Sequence, residues 1–158
     1  MIASTASNGS NRGAFVLLEG VDRCGKTTQC QLLLQRLLAA GIAAAAMRFP
    51  DRTTASGKII DQYLQQKSEM DDRAIHLLFS ANRWESAGAL ADQLQQGTTV
   101  VCDRYAYSGV AFSAAKVDAK QQPLLRLDWC QAPDKGLPAP DLVIFLSLTP
   151  EQAEARGG

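Results

Sequence analysis

An α/β fold, a parallel sheet with helices on both faces, is predicted by three observations. Short apolar runs alternate with stretches of helical spacing, giving the order β-α-β-α-α-β-α-β-α. A complete G-x-x-x-x-G-K-[ST] motif, Gly20 to Thr27, stands between the first strand and the first helix. The chain has 158 residues, 46% of them hydrophobic, which suits one globular core and is too short for two ordinary domains.

Residues 1–13 are rich in Ser, Asn and Gly and lack the apolar stretch of a secretory signal, so they are expected to form a disordered tail before a domain spanning 14–158. Ala14 to Glu19 is the first apolar strand. Lys26 to Ala40 carries Leu32, Leu33, Leu34, Leu37 and Leu38 at helical spacing, and Gly41 is its stop. Ile42 to Arg48 is expected to be the second strand, although its alanines give it weak β-propensity. Phe49 to Arg52 reads as a loop and Ser56 to Gln66 as a helix. A longer helix begins at Asp71 or Asp72, whose carboxylates favour a helix start, and runs to Gln96, with Gly88 as a point where it could break. The β-branched run Thr98 to Cys102 is a strand that leads into Asp103-Arg104-Tyr105, and Tyr107 to Lys116 reads as a helix. Residues 117–126 are patternless and expected to form a surface loop, and Pro133 to Pro140 is a proline-punctuated loop. Leu142 to Leu148 is the last apolar strand, after which Thr149-Pro150-Glu151 has the cap-then-proline signature of a helix start.

Composition excludes several classes of partner. Sixteen basic and sixteen acidic residues leave a formal charge of zero, so no global cationic field would recruit nucleic acid or an anionic membrane. No apolar run approaches the roughly 18 residues of a membrane span. Cys24, Cys30, Cys102 and Cys130 have no C-x-x-C spacing, which argues against a zinc site or disulfide framework and for a reducing compartment. A cytoplasmic location is the expectation, with nuclear or organellar ones left open.

The motif carries the chemistry. Its glycines let the backbone turn so that successive N–H groups face phosphate oxygens at a helix N-terminus. Lys26 is expected to reach the β and γ phosphates of a nucleotide, and the Thr27 hydroxyl to ligate Mg²⁺. Asp103, directly after an apolar strand, sits where a metal-facing acid belongs, and would act through a water. The alternative is that it caps the next helix. Arg23, Arg52, Arg83 and Arg104 occupy loop or helix positions near the sheet edge or on the long helix. Phosphoryl transfer gains most from fixed positive charge, so two of them could hold an acceptor phosphate while Arg23 acts as an in-built arginine finger; the alternative for any single one is an ordinary surface residue. Phe79 and Arg83 lie four apart and share one helix face, offering an apolar plane and a donor to one base, unless Phe79 and Trp84 are core residues. His76 reads as a packing or surface residue.

Four blocks in order extend this reading: Val-Leu-Leu-Glu-Gly-Val-Asp-Arg-Cys-Gly-Lys-Thr-Thr-Gln, then Arg-Phe-Pro-Asp-Arg, then His-Leu-Leu-Phe-Ser-Ala-Asn-Arg-Trp-Glu, then Asp-Arg-Tyr-Ala-Tyr-Ser-Gly-Val-Ala-Phe. Together they resemble the thymidylate kinases, and the Asp-Arg pair inside the phosphate loop is similar to the eukaryotic type. The resemblance implies a P-loop nucleoside monophosphate kinase core that transfers the γ-phosphoryl of Mg-ATP to dTMP. It implies that Gly20, Arg23, Cys24, Gly25, Lys26, Thr27 and Thr28 meet the ATP phosphates, with Arg23, Lys26 and Asp103 catalytic and Thr27 and Asp103 at the metal. Asp22 would meet the acceptor sugar's 3′-hydroxyl, and Arg52 and Arg104 the acceptor phosphate. Phe79 would stack on thymine and Arg83 hydrogen-bond its ring carbonyl. Phe49 and Leu64 would wall the pocket, and Phe112 would stand beside the sugar. A homodimer is also implied. Two other readings stay open: a related deoxynucleotide or deoxynucleoside kinase, and a non-catalytic nucleotide-binding remnant.

In this family the lid begins where the present chain stops, at Glu154 to Gly158, and further helices and an edge strand follow it. On that pattern the chain is expected to be truncated at its C-terminus, without the last edge strand and final helices.

Overall fold

A computed structural model describes residues 12–155, so residues 1–11 of the expected tail lie outside the described residues. The elements are β1 (Phe15–Gly20), α1 (Lys26–Ala39), β2 (Ala44–Arg48), α2 (Ala55–Leu64), α3 (Asp72–Gln95), β3 (Thr99–Asp103), α4 (Ala106–Ala114), α5 (Leu127–Gln131), β4 (Leu142–Leu146) and α6 (Pro150–Ala155). All strand pairs are parallel, in the order β2-β3-β1-β4. The crossover from β1 leads to one side of the sheet and the connection from β3 to the other. The adjacent strands β1 and β3 therefore bound a topological switch point, and the segments leaving their C-terminal ends frame a crevice.

Alternating side chains of the central strands feed two cores. Phe15, Leu17, Val100 and Cys102 face α3 and pack with Leu90, Leu94, Phe49 and Tyr105. Val16, Leu18 and Val101 face α1, where Cys30, Leu33 and Leu37 cover them. Burial, followed by the nearby Asp103 charge, pushes the Cys30 thiol up to about 12, so it packs as a small apolar group.

Helix ends follow sequence chemistry. Thr54 accepts a hydrogen bond from the Gly57 N–H at 3.1 Å to cap α2. Asp71 accepts from the N–H groups of Arg73 and Ala74 at the start of α3. Thr149 and Gln152 bond reciprocally at the start of α6, side chain to backbone in each direction. Two expectations are corrected, and one segment left unassigned by the sequence takes on structure. Gly88 does not break α3, which runs uninterrupted from Asp72 to Gln95. The second strand starts at Ala44, because Ile42 is spent closing the helix end, its N–H bonding the Leu37 carbonyl. The segment before the proline-rich loop holds the one-turn α5, continued by a 3-10 turn over Ala132–Asp134. Residues 117–124 are exposed, with a bridge between Val117 and Pro123 and the Asp118 carboxylate accepting from the Lys120 and Gln122 N–H groups, as a surface loop requires. Arg12 and Gly13 are tied to the fold by an Arg12–Asp141 ion pair at 2.6 Å, just before β4, and a Gly13 N–H bond to the Leu94 carbonyl of α3.

His76 is fully buried where α3, α4 and α5 meet. Its Nε2 lies 2.9 Å from the Cys130 carbonyl, which can only accept, so Nε2 carries the proton and Nδ1 accepts from the Ser113 hydroxyl at 2.7 Å. The ring also packs on Trp129. Burial holds its pKa below the usual 6.5, aided by Arg83 and Lys116 and opposed by the Cys130 carbonyl bond and Asp134. The sign follows: the unfolded chain takes up this proton more readily, so the contribution is whole above about pH 6.5 and is lost as pH falls below it. Melting temperature is expected to drop between about pH 6.5 and 5, and the drop to flatten in His76→Gln. An equal slope in the variant would remove His76 as the cause.

Candidate active site

Gly25 caps α1 with φ 94°, and Gly20 opens the phosphate loop with φ 145°. At Gly20 a β-carbon would sit 2.1 Å from the Leu146 carbonyl oxygen, so only glycine lets the loop leave the sheet here. Arg23, at φ 63°, adopts the left-handed conformation and is exposed at the loop tip. Lys26 is buried. Its Nζ donates to the carbonyls of Val21 (2.5 Å) and Gly20 (3.1 Å), and lies 3.4 Å from Cys24 Sγ. The ammonium thus braces its own loop at the α1 N-terminus, where a phosphate oxygen would compete for it. Cys24 is buried within the loop, so its backbone is the part offered to a phosphate, while Thr28 is exposed on the first turn of α1.

Asp103 ends β3 and is buried, and its Oδ2 accepts from Thr27 Oγ1 at 2.5 Å. The sequence left open whether this acid caps α4, and a different carboxylate does so. Buried Glu19, at the end of β1, accepts from the Tyr105 and Ser108 N–H groups at 3.0 and 3.2 Å and from the Ser108 hydroxyl at 2.5 Å. Asp103 is therefore free of the capping role and turned to the phosphate loop. Sequence reasoning missed Glu19; its signal was a lone acid closing an apolar strand, a group that must find donors once buried.

A cavity of about 490 Å³ opens beside the loop, between α2, α3 and α4. Every residue expected at the acceptor lines it: Asp22, Phe49, Arg52 and Leu64 from one side, Phe79, Arg83, Arg104 and Phe112 from the other. Phe49 belongs also to the core and packs on Tyr105 at 5.4 Å. Phe79 is half-buried at the cavity wall, and Trp84 is exposed with its indole N–H on the Pro133 carbonyl, so neither is a core residue. Leu64 and Phe112 are exposed at the rim.

Arg52 and Arg104, the two arginines expected at the acceptor phosphate, are engaged with acids. Arg52 donates to Asp61 of α2 at 2.8 Å. Arg104, at φ 68°, donates to Asp22 at 2.5 Å, to the Gly20 carbonyl at 3.2 Å and to Ser108 at 2.8 Å, and lies over the Phe112 ring at 5.4 Å. Another residue absent from the sequence reading secures the Arg52 loop. Fully buried Asn82 of α3 accepts from the Asp51 N–H at 2.7 Å and returns a bond to the Asp51 carbonyl at 3.0 Å. An amide inside a helical stretch was its only sequence signal. Arg83, deep in the cavity, is paired with Asp134, a residue the sequence left in an unremarkable loop. At the far end Lys116 bonds Tyr63 at 3.0 Å and pairs with Asp72. Burial opposes its charge, but these partners hold its pKa above the usual lysine value.

A family model described as thymidylate kinase matches residues 18–158. The chain is 55% identical to a thymidylate kinase of Danio rerio over 92% of its own length and 66% of the relative's. It is 52% identical to a thymidylate kinase of Homo sapiens, over 94% and 67%. Among solved structures, a thymidylate kinase from Candida albicans superposes with a TM-score of 0.83 at 42% identity, covering 93% of this chain and 68% of that one. The chain spans about two thirds of the length of the curated relatives it matches.

Proposed function

The chain belongs to the thymidylate kinase family, and from this premise we propose that it transfers the γ-phosphoryl group of ATP to dTMP, giving dTDP and ADP, in dTTP biosynthesis. The observation that carries the reading is the convergence of Asp22, Arg52, Phe79, Arg83 and Arg104 on one cavity at the mouth of the phosphate loop.

In this reading the loop N–H groups and Lys26 bind the β and γ phosphates, Lys26 exchanging the Gly20 and Val21 carbonyls for phosphate oxygens. Arg52 and Arg104 exchange Asp61 and Asp22 for the acceptor phosphate, and Asp22 is released toward the sugar hydroxyl. Phe79 faces the base and Arg83 donates to its ring carbonyl, with Phe49, Leu64 and Phe112 completing the walls. An oxygen of the acceptor phosphate attacks the γ phosphorus, and the bond from the γ phosphorus to the β–γ bridging oxygen breaks. That oxygen leaves with the electron pair as part of ADP. The attacking oxygen is already anionic, so the chain supplies alignment and positive charge and no general base is required. Arg23, at the loop tip, neutralises charge between donor and acceptor. Thr27 and Asp103 would hold Mg²⁺, since a hydroxyl and a carboxylate oxygen side by side suit a hard cation that keeps most of its waters. When bound, the ion neutralises the β and γ phosphates.

A homodimer belongs to the same proposal, supported by exposed Leu77 and Trp84 one above the other on α3. So does a cytoplasmic location, which four free, buried cysteines support. Among the described residues no helix is long and apolar enough to cross a membrane. ADP release with Mg-ATP and a panel of dTMP, dUMP, UMP, CMP and AMP tests the activity. Turnover is expected to be strongest with dTMP, and a preference for AMP or CMP would overturn the assignment.

A further inference from the structure

Arg83 and Asp134 form an ion pair that is almost wholly desolvated, with side-chain exposures of 3% and 7%. Arg83 Nε donates to Asp134 Oδ1 at 3.0 Å, and Nη2 donates to Oδ1 and Oδ2 at 2.8 and 2.7 Å. The Ser80 hydroxyl donates to Oδ1 at 2.7 Å. The Trp84 indole N–H holds the adjoining Pro133 carbonyl at 2.8 Å. Three residues of one α3 face therefore clasp the 3-10 turn that carries Asp134. This fork fixes the guanidinium plane on its Nε/Nη2 edge, while Nη1 makes no hydrogen bond among the described residues. Gly109 of α4, also at the cavity wall, leaves room for that free edge; a β-carbon there would lie 2.8 Å from Nη1.

Such isolation of charge is costly unless the partner is geometrically matched. The arrangement gives something a solvent-exposed arginine lacks. Nη1 has only N–H to offer and cannot turn away, so the base edge it meets must accept a hydrogen bond. A ring carbonyl accepts. An exocyclic amino group at the same ring position presents donors instead and leaves two donor groups facing each other.

We infer that Asp134 is a specificity-setting positioning residue: through Arg83 it makes the pocket select a pyrimidine with a carbonyl over one with an amino group at the same place. This rests on the proposed placement of the base against Phe79 and Arg83. In Asp134→Asn the amide oxygen can keep the Oδ1 position and its bonds to Nε and Ser80, but the NH₂ that replaces Oδ2 confronts Nη2, and the countercharge that pins the guanidinium is lost.

Calorimetric titration with dTMP and with 5-methyl-dCMP, which carry a carbonyl and an amino group at that position and differ otherwise only in the proton on the adjoining ring nitrogen, tests the inference. It is run on the wild type, Asp134→Asn, Arg83→Ala and the double variant, with ATP titrated as a control. Asp134→Asn is expected to weaken dTMP binding about tenfold while changing 5-methyl-dCMP and ATP binding little. In the double variant the aspartate change is expected to add nothing to the loss from Arg83→Ala, which a merely structural role would not produce. Unchanged selectivity in Asp134→Asn, or losses that multiply in the double variant, would overturn the inference. If Asp134→Asn does not fold, Ser80→Ala removes one bond to the same carboxylate and is expected to lower dTMP selectivity several-fold; wild-type selectivity there overturns it equally. A wild type that binds both nucleotides alike would instead overturn the base placement, and this inference with it.

Discussion

Arg23→Ala is expected to lower kcat by a factor on the order of 10³, with little change in dTMP or ATP affinity. The side chain is exposed at the tip of the phosphate loop and makes no hydrogen bond or ion pair among the described residues, so nothing in the fold depends on it. Its backbone already sits at φ 63°, a strain that alanine carries as arginine does. The melting temperature should therefore stay close to that of the wild type. What is lost is a guanidinium whose charge matters only while the phosphoryl group is between two oxygens, and such a loss appears in kcat, not in binding. Steady-state kinetics with dTMP and Mg-ATP measures it. Near wild-type turnover would remove Arg23 from the mechanism.

Gly57→Ala is expected to destabilise the fold by about 3 kcal/mol, the upper part of the range for overpacking. Gly57 is in the first turn of α2, and a β-carbon there would lie 1.8 Å from the Asp51 carbonyl oxygen and 2.9 Å from Arg52 Cα. The obstacle is backbone that Asn82 holds at both the Asp51 N–H and carbonyl, so it cannot swing aside as a side-chain end would. The melting temperature should fall by roughly 6–12 °C for a chain of this size. Because the displaced segment carries Arg52, dTMP affinity should fall as well. A wild-type melting curve would mean that the loop relaxes freely.

Much of this was legible in the sequence because its information is local. The phosphate loop, the strand-end Asp103 and the pair Phe79 and Arg83 are each set by residues within a turn or two of one another, and element order follows from apolar periodicity. The supporting residues were not legible, because their partners are far away along the chain. Glu19 meets Tyr105 and Ser108 across 86 and 89 residues, Asn82 meets Asp51 across 31, and Asp134 meets Arg83 across 51. In each case one polar residue in an apolar or loop context was visible, while its purpose depended on tertiary pairing. The one-turn α5 escaped for a different reason: five residues are too few for a helical period to register.

Arg104 touches the phosphate loop twice, at Asp22 and at the Gly20 carbonyl, while lining the cavity. Under the proposed function, one side chain is thereby shared between the binding surfaces of both substrates. Any free energy with which the acceptor alters that shared side chain is felt by the donor, and thermodynamic linkage makes the effect reciprocal. If dTMP tightens ATP by some factor, ATP tightens dTMP by the same factor. The order of addition is then a matter of rates alone, and a single coupling constant, measured from either side, describes how the two nucleotides sense each other.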